Sequence, residues 1–280
     1  MRKLIYVLAA VSMLTLLLGS CAAEKEEEPV NATEEQLAAA EAYSEMFGEE
    51  AAKKLAPYIL TEKAEFQGAC EGVAMEYVLS DEHQVLAIFS EDSSKNVLGG
   101  LYGLRAASEE TFFYGTEVHE LDWQKEEGKN YYLAISECAG KCGSVWYIMS
   151  QNSGTVDPDT RQEVKLSPMK TLHSEGDENF GNISVSMLSL WAEDHTMEPA
   201  NGTITDVWPA HDLEIRLKNG KTLGGTKEEL AAHTGNAALI ARGVEWNRPD
   251  NIYFSAYFPE ILDLDQAKSI VIDGTEFPLK

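Results

Sequence analysis

The chain has 280 residues, with 22 Lys and Arg against 47 Asp and Glu, giving a formal charge of −25. That balance excludes a general nucleic-acid binder, because phosphate recognition needs clustered basic side chains, and it argues against retention on anionic lipid by a basic surface. At 44% hydrophobic and 25% charged residues the composition is that of a folded protein, long enough for one large domain or two of ordinary size.

The first element is the segment MRKLIYVLAAVSMLTLLLGSC. Arg2 and Lys3 precede an apolar run from Leu4 to Leu18. This run falls short of the roughly 20 residues that a membrane-spanning helix needs, and it suits a cleaved export signal. It ends on Leu18-Gly19-Ser20-Cys21, an apolar residue and two small ones before a cysteine. The pattern resembles a bacterial lipobox. That resemblance implies cleavage before Cys21 and attachment of a diacylglyceryl group to its thiol, with the new N-terminus open to acylation too; two acyl chains anchor a protein stably where one gives marginal binding. Residues 1–20 then read as a lipoprotein signal peptide. Removing them takes away Arg2 and Lys3, leaving 20 basic against 47 acidic residues, or −27. Residues 21–36 read as an acidic tether, in which Glu24, Glu26, Glu27, Glu28, Glu34 and Glu35 offer little to bury.

From Thr33 the composition turns helical, with Asn31 or Thr33 as cap and acids in the first turn. Leu37, Ala40, Tyr43 or Ser44, and Phe47 recur near a helical period, Gly48 interrupts, and Pro57 limits the end. A helical segment is expected over residues 37–60.

The pattern then becomes β. Strands are expected over Glu71 to Leu79, Gln84 to Phe89, Thr111 to Val118, Tyr131 to Ser136 and Ser144 to Met149, separated by turn-rich segments. Gln151 to Gln162 is rich in turn formers and reads as a loop or the start of an interdomain link. Further strands are expected over Val164 to Leu172, interrupted at Pro168, then over Ile183 to Trp191 and Thr203 to Trp208. Leu213 to Leu217 and Lys221 to Leu223 flank Asn219-Gly220, a pair suited to the positive φ values of a type I′ hairpin turn. A short helix over Lys227 to His233 precedes strands at Ile252 to Phe258, Ser269 to Ile272 and Glu276 to Leu279, the last two joined by Asp273-Gly274. These runs predict a mainly β protein of two tandem antiparallel β-sandwich domains, residues 61–162 and 163–280, behind a short N-terminal helix.

The closing segment FPEILDLDQAKSIVIDGTEFPL resembles the last strands of immunoglobulin-like extracytoplasmic domains of unknown function. Such domains occur in Gram-positive lipoproteins and in anti-sigma-factor-like regulators. The likeness lies in an aromatic strand, a polar turn introducing AKSIVIDG, and a final apolar strand. It implies an immunoglobulin-like second domain, and it brings no catalytic motif. A lipobox stands where the regulators carry a membrane helix.

Candidate chemistry is sparse. With Cys21 assigned to the anchor, Cys70, Cys138 and Cys142 remain in a disulfide-permissive compartment. Cys138 and Cys142 lie between two strand-like runs and are a candidate pair across a tight hairpin, with Cys70 the alternative partner of either. Free or buried thiols are the other reading. The spacing C-x3-C lacks the second pair of a zinc site and has one residue too many for a redox C-x-x-C.

His83, His119, His173, His195, His211 and His233 are scattered and read as surface or strand residues, and no metal-binding His pair or G-x-S-x-G elbow occurs. Calcium is the most credible small ligand, with weak candidates at Asp157 and Asp159, at Glu175, Asp177 and Glu178, and at Asp263 and Asp265. None matches an EF-hand, and solvated loops are the plainer reading; no cofactor is expected. Trp123, Trp146, Trp191, Trp208 and Trp246 read as core anchors rather than a carbohydrate platform.

The expectation is a lipid-anchored protein on the extracytoplasmic face of a Gram-positive-type cell membrane, acting as a non-enzymatic binding or envelope-sensing module. The membrane, through the lipid, and an envelope or membrane protein are its expected partners. The alternatives are an envelope hydrolase using paired carboxylates and a structural assembly partner of a membrane complex.

Overall fold

In a computed structural model of the chain, the described residues are 31–66, 71–94, 104–108, 113–138, 141–142, 145–152, 155–196, 211–231, 240–245, 253–258 and 260–280. The signal segment, Cys21, Cys70, His233, Trp208, Trp246 and the strand expected at Thr203 to Trp208 lie outside them, as do the side chains of Cys138, Asp157 and Asp159.

Thr33 caps helix α1 (Glu34–Ala40). Its hydroxyl accepts from the Gln36 N–H while the Gln36 side chain accepts from the Thr33 N–H, a reciprocal capping box. Glu34 and Glu35 occupy the first turn, favoured there by the helix dipole. A 3-10 turn (Glu41–Tyr43) and α2 (Ser44–Phe47) follow. Gly48, at φ 80, reverses the chain into α3 (Glu49–Leu55), which ends in a 3-10 turn containing Pro57. Gln36 Nε2 donates to the carbonyls of Pro57 and Ile59 at 3.1 and 3.0 Å, closing the helical cap on itself. The buried face is Ala39, Ala40, Ala42, Tyr43, Ala52 and Leu55. Of the face expected from the helical period, Ala40 and Tyr43 are buried and Phe47 packs against the core, whereas Leu37 is 46% exposed.

The strands, in chain order, are β1 (Ala64–Glu65), β2 (Val73–Ser80), β3 (Gln84–Asp92), β4 (Leu104–Ser108), β5 (Phe113–Leu121), β6 (Lys129–Cys138), β7 (Val145–Asn152), β8 (Thr155–Lys165), β9 (Leu172–Ser174), β10 (Phe180–Val185), β11 (Ser189–Asp194), β12 (Leu213–Leu217), β13 (Thr222–Gly225), β14 (Ile240–Glu245), β15 (Tyr253–Tyr257), β16 (Ala267–Ile272) and β17 (Thr275–Pro278). Helix α4 (Lys227–Ala231) follows β13. Four antiparallel sheets result, in the orders β1-β2-β3-β6-β5, β4-β7-β8, β14-β15-β11-β10-β9 and β13-β12-β16-β17. The protein is mainly β, with a short helical segment at the N-terminal end of the described chain.

The first sheet is covered on both faces. Tyr77, Leu79, Leu86, Ile88, Tyr131 and Leu133 pack against the helical cap. Their alternating neighbours Val78, Val85, Ala87, Phe89, Tyr132 and Ala134 pack with Phe66, Val164 and Leu166. Two-sided burial explains why QVLAIF and YYLAIS are continuous apolar runs rather than strict alternations. In the C-terminal lobe two sheets share one core. Ile183, Val185, Leu190, Ala192, Phe254 and Ala256 of one face Leu213, Ile215, Ile270, Ile272 and Phe277 of the other. Residues 32–280 cluster as one compact unit.

Several expectations are corrected. Gln151 to Gln162 is largely strand: β8 pairs with β7, and the ladder shifts register opposite Ile148 and Ser150, where Pro158, lacking an N–H, is accommodated. Asp157 and Asp159 therefore lie in a strand rather than a loop. Residues 166–171 are not strand. Ile183 to Trp191 is a hairpin, β10 and β11 joined at Ser186, whose hydroxyl accepts from the N–H groups of Leu188 and Ser189 at 3.0 and 2.9 Å.

At Asn219-Gly220 the hairpin forms, but only Gly220 has positive φ (84°); Asn219 instead accepts the Lys221 N–H through Oδ1. The turn with two positive φ values is Asp273-Gly274, at 48° and 84°. β6 and β7 do not form the hairpin expected around Cys138 and Cys142. They belong to different sheets, and the Cys142 N–H donates to the Glu82 carbonyl at 2.6 Å.

Candidate functional site

Three polar clusters and one open groove are candidates. The first cluster is built on the β2–β3 turn. Asp81 Oδ1 accepts from the N–H groups of His83 and Gln84, both at 2.8 Å, a local turn any Asp could make. Oδ2 accepts from Gln84 Nε2 and from the hydroxyls of Ser186 and Ser189, at 2.7 and 2.6 Å. Asp81 is fully buried and thus fastens the first sheet to the β10–β11 turn. Leu188 of that turn is buried in the core under the helical cap.

Beside it, His173 lines up with Ser184 and Glu82. Ser184 Oγ lies 3.4 Å from His173 Nδ1, and His173 Nε2 lies 3.3 Å from Glu82 Oε1. Lys141 stands 3.2 Å from Glu82 Oε2, and His83 stacks on Trp191 at 4.3 Å. The arrangement resembles a Ser–His–acid line on paper, but its chemistry is wrong for a nucleophile. Ser184 is buried at 3% exposure, its contact with the ring is long, and the Lys141 ammonium draws on the carboxylate that would orient the base.

The second cluster surrounds Glu76. Ser90 Oγ donates to its Oε1 at 2.6 Å, Lys63 stands 3.0 Å from Oε1, and Lys125 stands 3.4 Å from Oε2. Burial pushes this carboxyl up, but the Ser90 hydroxyl and the two ammonium groups outweigh it and hold the pKa below the usual range. In the third, His211 Nε2 meets Asp194 Oδ2 and His211 Nδ1 meets Asp273 Oδ2, each at 2.7 Å. Phe180 stands edge-on to the imidazole at 5.0 Å. Burial pulls the imidazole pKa down, but the bonds to Asp194 and Asp273 overcome it and raise the pKa above its ordinary value. Burial likewise pushes Asp194 up, and bonds from His211 and Thr196 bring it below its ordinary value.

The groove lies on the helical cap and encloses about 830 Å³. It is lined by the apolar Leu37, Ala40, Ala52 and Trp123 and by the carboxylates of Glu41 and Glu49. Trp123 is positioned by its backbone N–H, which donates to Glu45 Oε1 at 2.6 Å, and by its ring, packed edge-on to Tyr131 at 4.7 Å. Lys53, also lining the groove, reaches Glu50 at 3.2 Å. Leu37 and Met46 are the large apolar side chains left exposed among the described residues.

The residues singled out in the sequence converge little. Cys142 is buried in the core between the first two sheets. Asp177 and Glu178 are exposed, and Asp177 Oδ1 accepts from the N–H groups of Asn179 and Phe180 rather than facing other carboxylates. Asp263 makes the same kind of turn with Asp265. Among the described residues no group of three or more His, Cys, Asp or Glu is placed to hold a metal ion. His83 and His211 are buried rather than on the surface. Asp81, Glu76 and His211 escaped the sequence reading because their partners are distant in the chain; only the Asp81 turn carries a local signal.

No family model matches the chain, and no curated protein matches it. Two solved structures are similar to a limited degree. One is a conserved domain protein from Bacillus anthracis, 16% identical, covering 76% of this chain and 75% of that one, at a TM-score of 0.39. The other is the Escherichia coli adhesin FdeC, 11% identical, covering 71% of this chain and 59% of that one, at a TM-score of 0.17. Scores of this size carry no inference about function.

Proposed function

We propose that the chain is a lipid-anchored extracytoplasmic protein that works without catalysis, as a binding module whose docking surface is the groove on the helical cap. The occupant is a segment of a membrane or envelope protein that presents an apolar side chain flanked by Lys or Arg. The observation that carries this reading is the groove itself: a lining that sets Trp123 and Leu37 beside the carboxylates of Glu41 and Glu49, in a chain of strongly acidic balance. The lipobox and acidic tether support a position close to a membrane, since the cap is the first folded element after the tether. The perturbed carboxyls and the imidazole, by contrast, are spent on joining elements of the fold.

Within this reading the C-terminal lobe is an immunoglobulin-like domain and the N-terminal lobe the first of two tandem domains. The candidate disulfide joins Cys138 to Cys142, or Cys70 to one of the two.

The docking surface is tested by photo-cross-linking. A photoreactive residue replaces Leu37 in the full-length chain in its native membrane, with the exposed position Lys218 as control. The expected result is a protein adduct specific to position 37, whose cross-linked segment, mapped by mass spectrometry, carries Lys or Arg beside apolar residues. Adducts to lipid alone, or equal labelling from both positions, overturn the assignment.

A further inference from the structure

Asp194 ends β11 in one sheet of the C-terminal lobe, Asp273 sits in the β16–β17 turn of the facing sheet, and His211 lies just before β12. The imidazole touches a carboxylate through each nitrogen, both at 2.7 Å. A carboxylate only accepts, so both ring nitrogens must donate, and the closed arrangement is that of a doubly protonated, cationic imidazole. We propose that His211 is a proton-operated clasp between the two sheets, closed while the ring is cationic and opened on the Asp273 side when it loses a proton.

The direction of opening follows from exposure. A neutral imidazole keeps one N–H, and its other nitrogen then turns a lone pair toward a carboxylate. The Asp194 side chain is fully buried and cannot be rehydrated in place, whereas the Asp273 side chain is 49% exposed. The remaining proton therefore stays on Nε2, facing Asp194, and Asp273 swings out to water. Asp273 Oδ1 also accepts the Asp212 N–H at 2.9 Å, so its departure removes one of the two bonds between the β16–β17 turn and Asp212 and leaves the backbone bond from the Asp273 N–H to the Asp212 carbonyl, at 3.0 Å. Among the described residues no other charge facing the ring offsets this. From its own segment Asp212 turns its carboxylate away to accept the Lys227 N–H, and from β10 and β15 the ring meets Phe180 and Phe254.

The sign is fixed by the raised imidazole pKa. The clasp contributes its full stability below the ordinary histidine value of about 6.5 and loses it as pH rises through the higher folded value. Nothing in this depends on the lipid anchor or the docking groove.

The test uses the conservative variant Asp273→Asn. Its amide Oδ1 still accepts from Asp212, and Asn also tolerates the φ of 48° at this position. Its Nδ2 can donate to the Nδ1 of a neutral ring, so the variant stays clasped without the proton. Wild type should lose about 2–4 °C more in Tm than Asp273→Asn between pH 6 and pH 9. Nuclear magnetic resonance of His211 in the wild-type chain should show titration above that of an unperturbed histidine and, beyond it, the Nε2–H tautomer. Equal pH slopes for the two proteins, an unshifted titration, or an Nδ1–H neutral ring would each overturn the clasp.

Discussion

A single carboxylate, Asp81, accepts five hydrogen bonds in the interior, two of them from serines more than a hundred residues further along the chain. Hydrogen bonds to a charged acceptor are each worth about 1.5–3 kcal/mol net, and donors left stranded inside cost more. Asp81→Ala should therefore destabilise the protein by at least about 3 kcal/mol in urea unfolding. Asp177 provides the control: it closes a similar turn on the surface, and Asp177→Ala should cost under about 1 kcal/mol. Similar losses for the two would show that the bridge to Ser186 and Ser189 contributes nothing. The comparison also separates what sequence could disclose from what it could not. An Asp before Glu-His-Gln between two apolar runs announces a turn, but the second oxygen's partners are set by the packing of one lobe on the other. His211 is a sharper case, since nothing in WPAHDLEI distinguishes an imidazole bridging two carboxylates from one in water.

Among elements, the strands with local signals are where sequence placed them. Gln84 to Phe89 and Tyr131 to Ser136 are apolar enough that no other assignment fits, and the C-terminal hairpins carry their Asn-Gly and Asp-Gly pairs. The misread elements share a physical cause. In ISVSMLSLW the alternation runs unbroken through a turn, because Ser186, the residue that closes it, is itself buried and satisfied by Asp81. In GTVDPDTRQ the turn formers are absorbed by a register shift in a long hairpin. The β12–β13 hairpin tests how far turn chemistry and close approach can be told apart. Gly220 and Gly224 both have positive φ, but a Cβ at Gly220 would meet open space, whereas one at Gly224 would collide with the Leu213 carbonyl oxygen on the paired strand. Gly220→Ala should cost about 1–2 kcal/mol, the conformational penalty alone, and Gly224→Ala on the order of 3 kcal/mol or more. Equal costs in chemical denaturation would mean that β13 yields without resistance.

For the whole molecule, electrostatics sets limits at both ends of the pH scale. Glu76 and Asp194 have lowered pKa values, so the stability they confer is present above their ordinary range and lost as pH falls through the folded values. The raised pKa of His211 works in the opposite sense, its contribution being lost as pH rises, and the fold is held most firmly between the two. The attachment proposed above is by lipid, and on that proposal Cys21→Ala should release the chain from membranes into the medium or leave an uncleaved precursor. Fractionation followed by mass measurement of the N-terminus distinguishes these from a mature chain that remains membrane-bound, which would refute the anchor.

The capping box and the two bonds from Gln36 also make the N-terminal entry a mechanical element. Tension arriving at Thr33 loads the contact of Gln36 with Pro57 and Ile59 before it reaches any strand. Both bonds to the end of the cap leave from one nitrogen, Gln36 Nε2, so they carry that load together. The next restraint is the hydroxyl of Tyr43, donated to the Leu86 carbonyl at 3.0 Å. Its loss uncovers one face of the first sheet together with Leu188 of the β10–β11 turn, which is buried in the same core, while the opposite face of the sheet keeps its own cluster. A pulled molecule would thus shed its helical cap first, and the cap would act as the fuse of the fold.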